Sequence, residues 1–261
     1  MSGPLLEVER LTVVHKETKK TLVRNISFPL NPGEVLTILG QSGSGKTMTC
    51  RAILGILSRR AFQIQGKICF DGTDLLALKE KDRSRFYGSQ IAFIPQNPMT
   101  ALDPSRKIGR QMVEFLRLHR PMAKRDALSL CQQALAETGL PDTKRVLVSL
   151  PGELSGGMLQ RVLIALAIAG NARLIIADEP TTALDVIHRG QAVEQLLHLR
   201  ERGCALLLVT HDFDVVRHGK GRVLILKDGC VVEQGGSEEI LQNPRHPYTK
   251  ALLDAAHLKR G

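Results

Sequence analysis

Short apolar runs recur along this chain, each closed by glycine, proline or an acidic residue. Between them lie longer stretches whose apolar positions fall three or four residues apart. Strands and helices that take turns in this way build a parallel sheet covered by helices. Residues 5–14 and 26–30 read as strands, and Asn31-Pro32-Gly33 turns the chain into residues 35–39, a buried-type strand. Further strands are expected at 65–70, at 91–94, at 174–177 and at 205–210. Residues 223–227 and 230–234 flank Asp228-Gly229, a hairpin signal. Helical spacing covers 108–118, 124–138, 186–200, 237–241 and 248–256. The block from about 97 to 157 is thus helical, with 146–150 as its one strand candidate, and reads as an insertion in an α/β domain.

One string sits where strand passes to helix. Gly40-Gln41-Ser42-Gly43-Ser44-Gly45-Lys46-Thr47 spells G-x-x-x-x-G-K-[ST]. Its glycines allow turn conformations closed to other residues and leave space for an anion. Backbone N–H groups then converge on phosphates at the positive end of the next helix. In this pattern Lys46 reaches the β/γ-phosphates and the Thr47 hydroxyl holds Mg²⁺.

Two other strings gain meaning beside that loop. The apolar run 174–177 ends in Asp178-Glu179. Ligands of open α/β sheets sit at the carboxyl ends of strands, which places Asp178 near the Mg²⁺ of Thr47. Glu179, one residue on, is placed to orient or deprotonate the attacking water. Leu154-Ser155-Gly156-Gly157-Met158-Leu159-Gln160-Arg161 opens a helix with a serine cap and two glycines that bare its amides, a second anion-grade terminus. One nucleotide does not need two such termini, so this one is expected to face the nucleotide of another subunit.

Composition narrows the picture. Aromatic content is 3% with no Trp, so the core must be aliphatic and base stacking on nucleic acid is disfavoured. The net charge of +10 is spread without long like-charge runs and reads as a solvated basic surface. Cysteines at 50, 69, 131, 204 and 230 form no C-x-x-C, so buried reduced thiols are expected. No charged-then-apolar leader opens the sequence, and the longest apolar stretch, 162–169, is far short of a membrane span. A soluble or membrane-peripheral chain is expected.

Together these motifs resemble the ATP-binding subunits of ABC transporters over essentially the whole chain. Gly40 to Thr47 is similar to their Walker A loop, Gln96 to the Q-loop glutamine, and Leu154, Ser155, Gly156, Gly157, Met158 and Gln160 to the signature motif. Residues 175–179 resemble Walker B with its catalytic glutamate, Thr182-Ala183-Leu184-Asp185 the D-loop, and His211 the switch histidine. The resemblance implies an α/β P-loop NTPase of the ABC type spanning 1–261. Its parts would be a RecA-like core sheet, an N-terminal antiparallel β subdomain, a helical subdomain at about 97–157 and a C-terminal segment at about 236–261. It also implies ATP and Mg²⁺ as cofactors, with Thr47, Asp178 and Gln96 toward the metal, partly through water. Glu179, His211 and Gln96 take the catalytic positions. The family usually stacks adenine on an aromatic near position 15, where this chain has His15 with no Phe or Tyr nearby in sequence.

Finer likenesses concern cargo. Residues 96–104 and Asn243-Pro244-Arg245-His246-Pro247-Tyr248-Thr249-Lys250-Ala251-Leu252 are similar to peptide/nickel importers. Met158-Leu159-Gln160-Arg161 resembles nickel-type subunits, and no cysteine-containing extension follows Ala256. The expectation is uptake of nickel, free or chelated, with oligopeptide or dipeptide import as the alternative. The implied partners are two transmembrane permeases, a second ATP-binding subunit and, indirectly, an extracytoplasmic solute-binding protein. The implied place is the cytoplasmic face of the cell membrane, with no nucleic acid bound. A DNA-acting ATPase on the same core, and a phosphate-loop kinase, remain remote alternatives.

Overall fold

The computed structural model describes residues 3–181 and 186–258. The strands are β1 (Leu6–His15), β2 (Thr21–Leu30), β3 (Val35–Leu39), β4 (Phe62–Phe70), β5 (Thr73–Asp74), β6 (Ile91–Ile94), β7 (Leu174–Asp178), β8 (Ala205–Thr210), β9 (Arg222–Lys227) and β10 (Cys230–Gly236). The helices are α1 (Lys46–Ile53), α2 (Glu80–Arg83), α3 (Ile108–His119), α4 (Lys124–Glu137), α5 (Thr143–Val148), α6 (Gly156–Gly170), α7 (Val186–Glu201), α8 (Phe213–Gly219), α9 (Ser237–Gln242) and α10 (Pro247–Leu258).

The core sheet runs β10-β9-β3-β8-β7-β6, parallel except for β10. Every residue of β3, β7 and β8 is buried. That is why these segments read as unbroken apolar runs: a parallel sheet is covered on both faces. A second, antiparallel sheet runs β2-β1-β4-β5. In β1 the buried Leu6, Val8, Leu11 and Val13 face one way, with a bulge around Arg10 (φ +49°) shifting the register between the pairs.

Two main cores lie on opposite faces of the core sheet. On one face Leu36, Ile38, Ile176 and Leu207 pack with Cys50 and Ile53 of α1 and with Leu6, Val8, Ile26 and Phe70 of the antiparallel sheet. On the other, Ile175, Ala177, Leu206 and Leu208 pack with Met112, Leu116, Leu135 and Leu163 of the helical layer α3–α6. Arg173 ties the two sheets together at the edge: its guanidinium donates to both oxygens of Asp71 (2.6 and 3.2 Å) and lies 5.7 Å from the Phe70 ring centroid.

Three local expectations change. Residues 146–150 are not a strand, because Asp142 accepts the Arg145 N–H (2.9 Å) and starts helix α5 there. β2 begins at Thr21, five residues before the strand read from sequence, because Asn25 (φ +50°) breaks the alternation without ending the strand. Helices α2 and α8 were not anticipated. α8 is short and starts where Asp212 accepts the Asp214 N–H (2.8 Å).

The topology brings the carboxyl ends of β3, β7 and β8 side by side. The 40–45 loop leaves β3, Asp178 closes β7, and His211 follows β8. Gln96 follows the adjacent β6.

Candidate active site

The loop after β3 is built to wrap an anion. Gly45 precedes α1 with φ +102°, and a Cβ there would stand 2.7 Å from the Leu22 carbonyl oxygen, so no other residue fits. A Cβ on Gly40 would collide with the Leu226 carbonyl and the Ser44 hydroxyl. No acidic residue sits in the first turn of α1, so the helix does not compensate its own positive end. Among the described residues the buried Ser44 Oγ has no hydrogen-bond partner. An orphan hydroxyl inside a loop of backbone donors fits an oxygen-rich ligand.

Lys46 is 5% exposed, and its Nζ donates to the Gly40 and Gln41 carbonyls at 2.7 and 3.1 Å. Burial lowers its pKa, while the charges of Glu179 and Asp178 pull it back up. The Thr47 hydroxyl donates to Asp178 Oδ1 (3.3 Å). Burial raises the Asp178 pKa; the Thr47 bond opposes this, and neighbouring Glu179 adds to it. A threonine hydroxyl and a carboxylate side by side are hard oxygen ligands suited to Mg²⁺.

Glu179 has φ +51°, a left-handed backbone that is strained for a glutamate. The turn is held: Glu179 N–H donates to the Val209 carbonyl at 2.7 Å. Its side chain is turned inward to 8% exposure. Oε2 lies 2.8 Å from His211 Nδ1 and accepts the Thr210 hydroxyl (3.3 Å) and the His211 N–H (3.4 Å). Oε1 lies 3.8 Å from Lys46 Nζ. The structure thus gathers Gly40, Gln41, Ser42, Gly43, Ser44, Gly45, Lys46, Thr47, Asp178, Glu179 and His211 at one end of the sheet.

The remaining expected residues do not join that cluster. Gln96 is exposed, and among the described residues no hydrogen bond links it to Thr47 or Asp178. Leu154 is buried below the exposed Ser155, whose hydroxyl caps α6 by accepting the Met158 N–H (3.3 Å), with Gly156 and Gly157 in its first turn. Gln160 differs from expectation. It is 4% exposed and turned into its own subunit, where Nε2 donates to the Pro180 carbonyl (2.7 Å). In this subunit the amide is thus tied to its own backbone beside Glu179. Asp185 lies outside the described residues.

Position 15 also differs. The sequence shows no aromatic near His15, but β4 brings Phe62 beside it, edge to face, with ring centroids 5.3 Å apart. The Thr18 N–H donates to His15 Nδ1 at 3.2 Å, which leaves Nε2 as the nitrogen carrying the proton in the neutral ring. The pairing of β1 with β4 sets His15 opposite Phe62, a link that neighbouring residues cannot signal.

Comparison with known proteins decides the family. Residues 23–182 match the ABC transporter family. The chain belongs to that family. It is an ATP-hydrolysing ABC transporter subunit, and residues 232–258 further match the "Oligopeptide/dipeptide transporter, C-terminal region". A Staphylococcus aureus (strain Mu50) protein named as the metal-staphylopine import system ATP-binding protein CntD is 41% identical, over 95% of this chain and 92% of its own. The Escherichia coli (strain K12) dipeptide transport ATP-binding protein DppD is 40% identical, over 96% of this chain and 78% of its own. Among solved structures, the dimeric post-hydrolysis state of the ATP-binding cassette MJ0796 bound to ADP and Pi superposes with TM-score 0.79 at 27% identity, covering 89% of this chain and 98% of that one. Among the described residues no helix of this ABC subunit is long and apolar enough to cross a membrane.

Proposed function

We propose that the chain is the ATPase subunit of an importer whose cargo belongs to the peptide class. The observation that carries this reading is the 232–258 match to the oligopeptide/dipeptide transporter C-terminal region. Relatives named for dipeptide and oligopeptide transport support it. The nickel expectation loses ground accordingly, since the Met158-Leu159-Gln160-Arg161 likeness is its main remaining support. A metal carried by a small organic chelator is the second reading, favoured by the staphylopine-system relative.

In this reading one cassette spans 1–261, and its helical block at about 97–157 meets a permease. Bound ATP supplies the phosphoanhydride whose cleavage drives the cycle, and Mg²⁺ offsets the charge of its terminal phosphates. Gly40 to Thr47 wrap the phosphates, Lys46 supplies the cation, and Thr47 and Asp178 hold the metal, with Gln96 reaching it through water. Glu179 accepts the proton of the attacking water, and His211 positions Glu179. His15 offers its ring face to the base. Leu154, Ser155, Gly156, Gly157 and Met158 serve the partner subunit's nucleotide in a head-to-tail pair. The pair works on two transmembrane permeases at the cytoplasmic face of the membrane, fed by an extracytoplasmic solute-binding protein, with no nucleic acid involved.

Deletion of the gene tests the cargo. Loss of growth on di- or oligopeptides as sole nitrogen source, with nickel-enzyme activity intact, is the expected result. Loss of nickel-enzyme activity with peptide growth intact would return the cargo to metal.

A further inference from the structure

The Asn243-Pro244-Arg245-His246-Pro247-Tyr248-Thr249 segment takes no part in the Lys46–Glu179 cluster, yet it reaches the phosphate loop. The Tyr248 hydroxyl accepts the Gln41 backbone N–H at 3.3 Å, across 207 residues of sequence. The segment presents that hydroxyl step by step. His246 caps α10: its Nδ1 accepts the Tyr248 N–H (3.1 Å) and its carbonyl accepts the Lys250 N–H (3.2 Å). Pro247 opens the helix, where a missing N–H costs nothing. Glu233 of β10 accepts the N–H groups of Arg245 and His246 at 2.7 and 3.1 Å, so the helix entry is fastened to the sheet. Leu253 packs with Leu39, Val223, Ile225 and Ile240 beneath it. The Lys227 ammonium stands over the Tyr248 ring face, 5.1 Å from its centroid, and holds the ring there.

We infer that Tyr248 is a positioning residue for the phosphate loop, holding the Gly40–Gln41 peptide from outside the nucleotide site. This rests on the phosphate-loop reading above. Lys46 Nζ grips the Gly40 carbonyl of that peptide from within at 2.7 Å, and Tyr248 grips its Gln41 N–H from the C-terminal segment. On the same side Gly229 donates its N–H to the Ser44 carbonyl at 3.0 Å. A loop peptide freed on one side samples more orientations, and binding must then order it. Tyr248 therefore sets nucleotide affinity, while the proton chemistry of Glu179 is untouched. The C-terminal segment acquires a role in ATP binding, separate from any role in cargo choice.

Tyr248→Phe isolates the hydroxyl, because the ring, its packing and the Lys227 contact remain. Two quantities are read: the Kd of a non-hydrolysable ATP analogue for the full chain, and ATP turnover in the assembled transporter. Both Kd and KM are expected to rise about three- to tenfold, the worth of one ordinary hydrogen bond. The kcat should stay within about twofold of the parent, and the unfolding midpoint without nucleotide should not move. An unchanged Kd overturns the inference. So does a fall in kcat with KM unchanged, or an affinity loss that only tracks a lower midpoint. Lys46→Ala run in parallel separates the two readings: if it binds the analogue like the parent, the phosphate-loop assignment itself fails.

Discussion

Glu179 Oε2 sits 2.8 Å from His211 Nδ1, although the imidazole is mostly exposed while the carboxylate is buried. The histidine therefore reaches in from solvent to hold an acid already tethered by Thr210 and drawn toward Lys46. A water placed against Glu179 would meet a carboxylate with fixed orientation, which general-base catalysis requires.

Glu179→Gln should keep ATP binding and lower hydrolysis by about 10²- to 10⁴-fold, because an amide cannot take the water's proton. Phosphate release in the assembled transporter is the measurement, with retained nucleotide counted alongside. Turnover near the parent rate would remove Glu179 from the base position.

Lys46→Ala should weaken ATP binding by roughly ten- to a hundredfold, about 1.5–3 kcal/mol for a hydrogen bond to a charged group. The effect is double, since the same ammonium also holds the Gly40 and Gln41 carbonyls of the loop. Equilibrium titration with ATP decides it, and parent-like affinity would count against the assignment.

The cysteines offer a test of the cores that is independent of nucleotide. Burial pushes the Cys131 thiol up to about 11 and the Cys204 thiol up to about 12, and raises those of Cys50 and Cys69 as well. A raised thiol pKa means less thiolate at any given pH, and burial also bars access. Cys230 alone among the five is half-exposed. At pH 8 a thiol reagent should modify Cys230 promptly and the other four only after denaturant is added. Rapid native modification of Cys50 or Cys131 would mean that their cores are open.

How much was legible in the sequence follows from how local each signal is. The phosphate loop and the β7 acids could be read because strand, turn and helix adjoin in the chain. The aliphatic strands could be read because burial on both faces leaves unbroken apolar runs. Three relationships escaped because their partners are far apart: His15 with Phe62, Gln160 with Pro180, and Tyr248 with Gln41. Residues 146–150 misled for the opposite reason. Val146, Leu147 and Val148 look like a strand by composition, and only the Asp142 cap shows that the run is a short helix.

Two residues near the start of helix α6 face different ways. Ser155 is exposed at the N-terminus of α6, whereas Gln160, five residues on, is buried against the carbonyl of Pro180, which follows Glu179. Ser155→Arg should stop hydrolysis at the partner's nucleotide by filling the closing surface, and should leave ATP binding by this chain's own loop intact. Gln160→Ala should act at home. It orphans a buried carbonyl beside the strained Glu179 turn, at a cost of about 1–3 kcal/mol. Denaturant unfolding should therefore show lower stability for Gln160→Ala and parent-like stability for Ser155→Arg. In a mixed pair with only one mutated subunit, Gln160→Ala should slow turnover at the site holding its own Glu179, and Ser155→Arg at the opposite one. If both variants silence the same site, Ser155 does not serve the partner, and the head-to-tail arrangement is wrong.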